Sequence, residues 1–315
     1  VLIRFKGKRL WWIILGIVLG MVAVWTIYKK LSQDITQDSW RLLLIRCQNP
    51  HTLILLACAG LLMPFNWGFE AVKWKMCLSQ VQYLNFKSAL KSVCSGIFTG
   101  FFIPGRLSEF LGKIEYIEVP HKASAIALHG ILGQIQYLIT LSIGCLAFLL
   151  NGYPISPLSI GMGLACIGGS VALLSILFKY QHVFIKHLQR FFPNQSALPS
   201  FVMLSTLQVR NIIGVSVLRY IIFSLQLGLV LCAFIPQNAV TDLIYKLPVY
   251  FLITSTVPMI SIFEPAIRSY LLLFVFQQQR GYTLELSLAV VLIWVLNLII
   301  PAIYGYVALW KQKLK

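Results

Sequence analysis

The chain has 315 residues, of which 58% are hydrophobic and 11% charged, a balance far from that of soluble domains and one that makes a membrane its natural solvent. Its 26 Lys and Arg against 9 Asp and Glu are dispersed between apolar segments instead of gathered on one polar face, which argues against nucleic acid as a partner and fits orientation in a membrane with anionic headgroups. Several apolar windows reach the length a helix needs to cross a hydrocarbon core of roughly 30 Å, and none alternates like a barrel strand, so an all-α polytopic integral membrane protein is predicted.

In chain order, the basic tail "RFKGKR" leads into Trp11 to Tyr28, which has aromatics at both ends and no clear small-residue cleavage site and therefore reads as a retained anchor. Further crossings are expected at Thr52 to Trp67, Ser124 to Leu150, Leu158 to Phe178, Asn211 to Ile235 and Leu286 to Trp310. Asn66, Glu70 and Lys73, at the end of the second crossing, are assigned to the membrane interface. That makes about six full spans and leaves two apolar stretches, Phe86 to Ile103 and Leu243 to Phe276, the latter interrupted by Pro248, Pro258 and Pro265.

Loop charge places the remainder. The N-terminal tail, the segment from Phe178 to Arg210 and the C-terminal Lys311, Lys313 and Lys315 are basic and should be cytoplasmic, whereas "NGYPISP" carries no charge and "PQNAVTD" one acid, so both should lie outside. Counting crossings then returns residues 86–122 to the face they started from, and residues 243–278 likewise from the opposite face. Two re-entrant hairpins are implied, one in each half, 1–150 and 151–315, of a single membrane domain. Lys29 to Arg46, with four basic residues and two acids, falls outside against the charge rule.

The hairpins share a pattern. In "IPGRLSEFLGK" the break Pro104–Gly105 is followed by Arg106, Glu109 and Lys113; in "VPMISIFEPAIR" Pro258 is followed by Glu264, Pro265 and Arg268. A base four residues after an acid shares its helical face in the favourable order for pairing. Broken helices in two halves of opposite topology are a common transporter construction, so an inverted repeat is expected. The plainer alternative for Arg106, Glu109 and Lys113 is an amphipathic helix at the headgroups.

At these residues the sequence resembles the lysylphosphatidylglycerol synthase transmembrane, or flippase-like, family, which includes the membrane half of multiple peptide resistance factor type proteins. That family's Pro-x-x-x-Gly-Glu type motif corresponds to Pro104, Arg106 and Glu109 with Ser108 in the glycine position; its second motif corresponds to Pro258 and Glu264, with "MISIF" where glycines are usual, and His129 and Gly130 stand where the family often has Glu-Arg. The resemblance implies a diverged, lipid-translocating membrane domain, without the soluble synthase domain that some relatives carry.

An anionic phospholipid, aminoacylated phospholipid or polyprenyl-phosphate headgroup needs a cationic groove. Arg106, Lys113, Arg219 and Arg268 are the candidates for phosphate contact, and Glu109 and Glu264 would hold those bases or bind a headgroup amine. Snorkelling to the surface is the alternative for Arg219. His129, Gly133, Gln136 and Thr140 share one helical face, as cavity lining or as interhelical hydrogen bonding. No catalytic motif, ATP signature or metal-ligand spacing is present, and the seven cysteines form no CxxC pair, so no cofactor and no metal are expected. The expected function is a lipid flippase or transporter of the cytoplasmic membrane with both termini inside and membrane lipids as partners. The alternative is an intramembrane enzyme or enzyme subunit acting on lipid-linked substrates. Oligomeric state is left open.

Overall fold

The computed structural model describes residues 37–101, 108–150, 157–180, 204–235, 240–257, 259–276 and 282–314, with Val183 and scattered positions between 18 and 32. The expected first crossing lies largely outside them. The protein is an all-α membrane protein: among the described residues there is no strand, and four helices, at Pro50–Leu78, Val119–Leu150, Thr206–Phe234 and Thr283–Gln312, are long and apolar enough to span a bilayer.

Local chemistry sets where the elements begin. After α1 (Gln37–Gln48), Asn49 Oδ1 accepts from His51 N at 2.9 Å and Pro50 takes the first turn of α2 (Pro50–Leu78), where a missing N–H costs nothing. Asn85 caps α3 (Phe86–Gly100) by accepting from Ser88 N at 2.8 Å. The five-residue α4 (Glu109–Lys113) follows, then two single 3-10 turns and α5 (Lys122–Leu150). Next come α6 (Pro157–Lys179), and α7 (Thr206–Phe234), which opens with a reciprocal capping box between Ser205 and Gln208. The chain continues through α8 (Val240–Thr256), α9 (Glu264–Val275) and α10 (Thr283–Trp294), passes a π turn at Val295–Ile299 and ends in α11 (Ile300–Lys313). Pro301 has no N–H and crowds the carbonyl one turn back, which accounts for the widened turn in front of it.

Two expectations are corrected. The helix of the second crossing does not end at Trp67: α2 runs on to Leu78, and Asn66, Glu70 and Lys73 are packed inside the bundle at 2%, 9% and 1% exposure. Pro248 does not interrupt the second hairpin, because it lies within α8.

Arg46 explains part of the charge that disagreed with the topology rule. Its guanidinium donates to the carbonyl of Phe234 at the C-terminal end of α7, lies 3.7 Å from Glu285 in the first turn of α10, and stacks 5.3 Å from the Tyr282 ring centroid. It completes a helix end and pairs with an acid.

Helices distant in sequence pack in pairs. α2 lies along α7; α3 lies on α11 and α8 on α5. A Cβ at Gly305 would enter the Cys94 carbonyl of α3, and one at Gly144 would come within 2.9 Å of the Pro248 carbonyl of α8. Thus α11 meets α3, and α5 meets α8, through a glycine. α4 packs on α3: Ser108 Oγ donates to the Thr99 carbonyl at 2.6 Å, Thr99 Oγ1 donates to the Ser108 carbonyl at 2.9 Å, and Gly112 N donates to Thr99 Oγ1 at 3.0 Å.

Candidate functional site

Three cations meet one carboxylate in the middle of this bundle. Glu70 Oε2 is 2.8 Å from Lys73 Nζ and 3.0 Å from an Arg219 terminal nitrogen, and Glu70 Oε1 is 3.4 Å from Lys113 Nζ. Lys73 comes from the same face of α2 three residues on, Lys113 from the end of α4 and Arg219 from mid-α7. Both lysines are about 1% exposed. Lys113 Nζ also lies 3.2 Å from His129 Nδ1, within hydrogen-bonding distance. The same ammonium stands 5.2 Å from the Trp74 ring centroid, and Arg219 stacks 5.4 Å from that of Trp67.

A chain of side-chain amides holds Arg219. Gln226 Nε2 donates to the Ala59 carbonyl at 2.9 Å, leaving its oxygen to accept from Asn297 Nδ2 at 2.7 Å. Asn297 Oδ1 accepts from Asn66 Nδ2 at 2.9 Å, and Asn66 Oδ1 accepts from Arg219 Nε at 3.0 Å. The backbone carbonyl at one end therefore dictates which way each amide faces. Asn297 lies in the π turn, a feature that often re-aims a side chain at functional sites. From the other side, Lys73 Nζ donates to Gln136 Oε1 at 3.0 Å and Gln136 Nε2 reaches the Ser216 carbonyl at 3.5 Å.

Two cavities flank this network. The one of about 300 Å³ is lined by Glu70, Lys73, Glu109, Lys113 and His129, and the one of about 210 Å³ by Glu264, Arg268 and Asn297; Trp67, Gln136, Thr140 and Arg219 belong to the walls of both. Glu264 opens α9, followed at once by Pro265, and its carboxylate is 2.7 Å from the Arg268 guanidinium one turn on. Counted over the described charged lining of the larger cavity, Lys73, Lys113 and Arg219 exceed Glu70 and Glu109 by one positive charge.

The structure thus brings Glu109, Lys113, His129, Gln136 and Arg219 to one cavity and Glu264 and Arg268 to the next, with Gly133 and Thr140 on the first wall too. Arg219 points into the network with 20% of its side chain exposed, so it is not a snorkelling residue. Pro104, Gly105, Arg106 and Pro258 lie outside the described residues. Sequence reasoning grouped Asn66, Glu70 and Lys73 but assigned them to the interface, not to this site, and did not name Gln226 or Asn297. The available signal was the shared face of Asn66, Glu70 and Lys73, two of them charged, on a largely apolar helix. Among the described residues no group of three or more His, Cys, Asp or Glu is placed to hold a metal. No protein-family model matches the chain, and no curated protein matches it.

Proposed function

We propose that this membrane protein translocates lipids with anionic headgroups, with the headgroup phosphate seated against Lys73, Lys113 and Arg219. The observation that carries the reading is the excess of positive charge among the described residues of that cluster, in the core of an apolar bundle. A charge removed from water is costly unless it is paired. The single negative charge of a phosphodiester would balance the excess, and guanidinium and ammonium groups are its natural donors.

Three further features support it. The candidate residues of both hairpins border adjoining cavities. The exchanged packing of residues 1–150 and 151–315 suits an inverted repeat, in which broken helices meet around a central substrate site. The resemblance to the flippase-like family points the same way, and loop charge favours a cytoplasmic membrane with both termini inside.

The test is a proteoliposome assay with fluorescent phosphatidylglycerol and a membrane-impermeant quencher. Vesicles containing the protein should lose more than the outer-leaflet share of the signal, and the Lys73→Met/Lys113→Met double variant should not. If the wild type behaves as empty vesicles do, translocation is the wrong function.

A further inference from the structure

The amide chain that ends on Arg219 is built from three parts of the bundle. Ala59 and Asn66 lie about two turns apart on α2, Arg219 and Gln226 about two turns apart on α7, and Asn297 reaches between them from the π turn. Asn66, Gln226 and Asn297 are all buried, and each donates one hydrogen bond along the chain and accepts one. Helix packing alone does not call for this arrangement: α2 already lies along α7, and apolar groups of the same shape in place of both members of a buried hydrogen bond are nearly neutral for stability.

What the chain fixes is a guanidinium. Asn66 Oδ1 accepts from Arg219 Nε at 3.0 Å, and Glu70 Oε2 lies 3.0 Å from one terminal nitrogen of the same group. A planar fork gripped at two of its three nitrogens cannot swing, so the direction of the third is set. Arg219 belongs to the walls of both cavities with 20% of its side chain exposed, while Lys73 and Lys113 are almost wholly buried. The aim of its guanidinium therefore bears directly on an anion bound there. Gln226, at the far end of the chain, lines neither cavity.

We infer that Asn66, Asn297 and Gln226 are positioning residues, which hold the Arg219 guanidinium in the orientation that receives the headgroup phosphate, Gln226 acting from outside the site. The inference rests on the phosphate reading above and adds to it the residues that order its arginine before the lipid arrives.

Isothermal titration of the purified full chain in detergent with dioctanoyl phosphatidylglycerol tests it as a cycle of variants. Gln226→Met, which breaks the chain without touching either cavity, should weaken binding about tenfold, the upper range of what ordering one long side chain costs. Asn297→Ser, too short to join both neighbours, should do the same. Arg219→Lys keeps the charge but lacks the planar fork, and it too should bind about tenfold more weakly. Added to Arg219→Lys, Gln226→Met should weaken binding by less than about twofold more, because nothing is left for the chain to aim. A role in stability alone would weaken binding by the same factor in both backgrounds, and that result overturns the inference, as does wild-type affinity in Gln226→Met or in Arg219→Lys. In each of those cases the phosphate site still stands. If the wild type binds no phosphatidylglycerol, it is the phosphate reading that fails, and the positioning role with it.

Discussion

Glu70 and Arg219, on two long helices of opposite halves of the chain, meet at 3.0 Å in the core of the bundle. The contact makes one carboxylate the common counter-ion of Lys73, Lys113 and Arg219, and it makes the substitutions of this cluster unequal in cost.

Glu70→Gln strands three cations. Removing one partner of a buried ion pair typically costs about 3–5 kcal/mol, so this variant should show a markedly lower melting temperature in detergent. Lys73→Met removes surplus positive charge from a site it fills to about 1% exposure and should cost far less. Equal destabilisation by the two would contradict the charge excess.

Asn297→Leu cuts the amide chain in its middle, leaving Gln226 Oε1 without its donor and Asn66 Nδ2 without its acceptor. Each buried orphan costs about 1–3 kcal/mol. Because Gln226→Leu breaks the same chain, the double variant should be less destabilised than the sum of the singles. Strict additivity in a thermal-unfolding cycle would show that the amides act separately.

Gly305→Ala and Gly144→Ala each drive a Cβ into the backbone of a helix from the other half, whereas Gly130 has nothing within 4 Å of where its Cβ would be. The first two should lose about 1–3 kcal/mol by overpacking, and Gly130→Ala should be neutral or slightly stabilising. Comparable melting temperatures for all three would mean that the close crossings of α3 on α11 and α8 on α5 are not as drawn.

Arg46→Met removes the donor to the last carbonyl of α7 and the counter-ion of Glu285. With Arg46 about one-third exposed, the ionic part is screened by solvent, and the expected loss is about 1 kcal/mol, most of it from the orphaned carbonyl. Thermal melts at low and high salt should therefore show a nearly constant difference from wild type; a difference that vanishes at high salt would assign the effect to the ion pair.

The helices were legible because hydrophobic length alone decides what can cross a bilayer, and Lys122–Leu150, Thr206–Phe234 and the run from Thr283 follow the apolar windows closely. The acid and base of the second hairpin were legible too, since Glu264 and Arg268 are one turn apart on one helix. The hub was not. Lys113 and Glu70 are 43 positions apart, and no periodicity within α2 announces a partner arriving from another hairpin. Glu70 and Lys73 fall where the hydropathy of α2 weakens, which is what an interfacial helix end looks like, and only the tertiary packing shows that the helix continues. Asn297 was silent for a different reason: one neutral amide in an apolar helix reads as packing glue, and the π turn that aims it depends on Pro301 and its surroundings.

A cryo-electron microscopy map of the full chain in nanodiscs containing phosphatidylglycerol tests the central claim most directly. The account predicts headgroup phosphate density within hydrogen-bonding distance of Lys73, Lys113 and Arg219, between helices that stay apolar toward the lipid. A map with Glu70 paired to its cations, the cavity holding water alone and every ordered phosphate at the bilayer surface would contradict it.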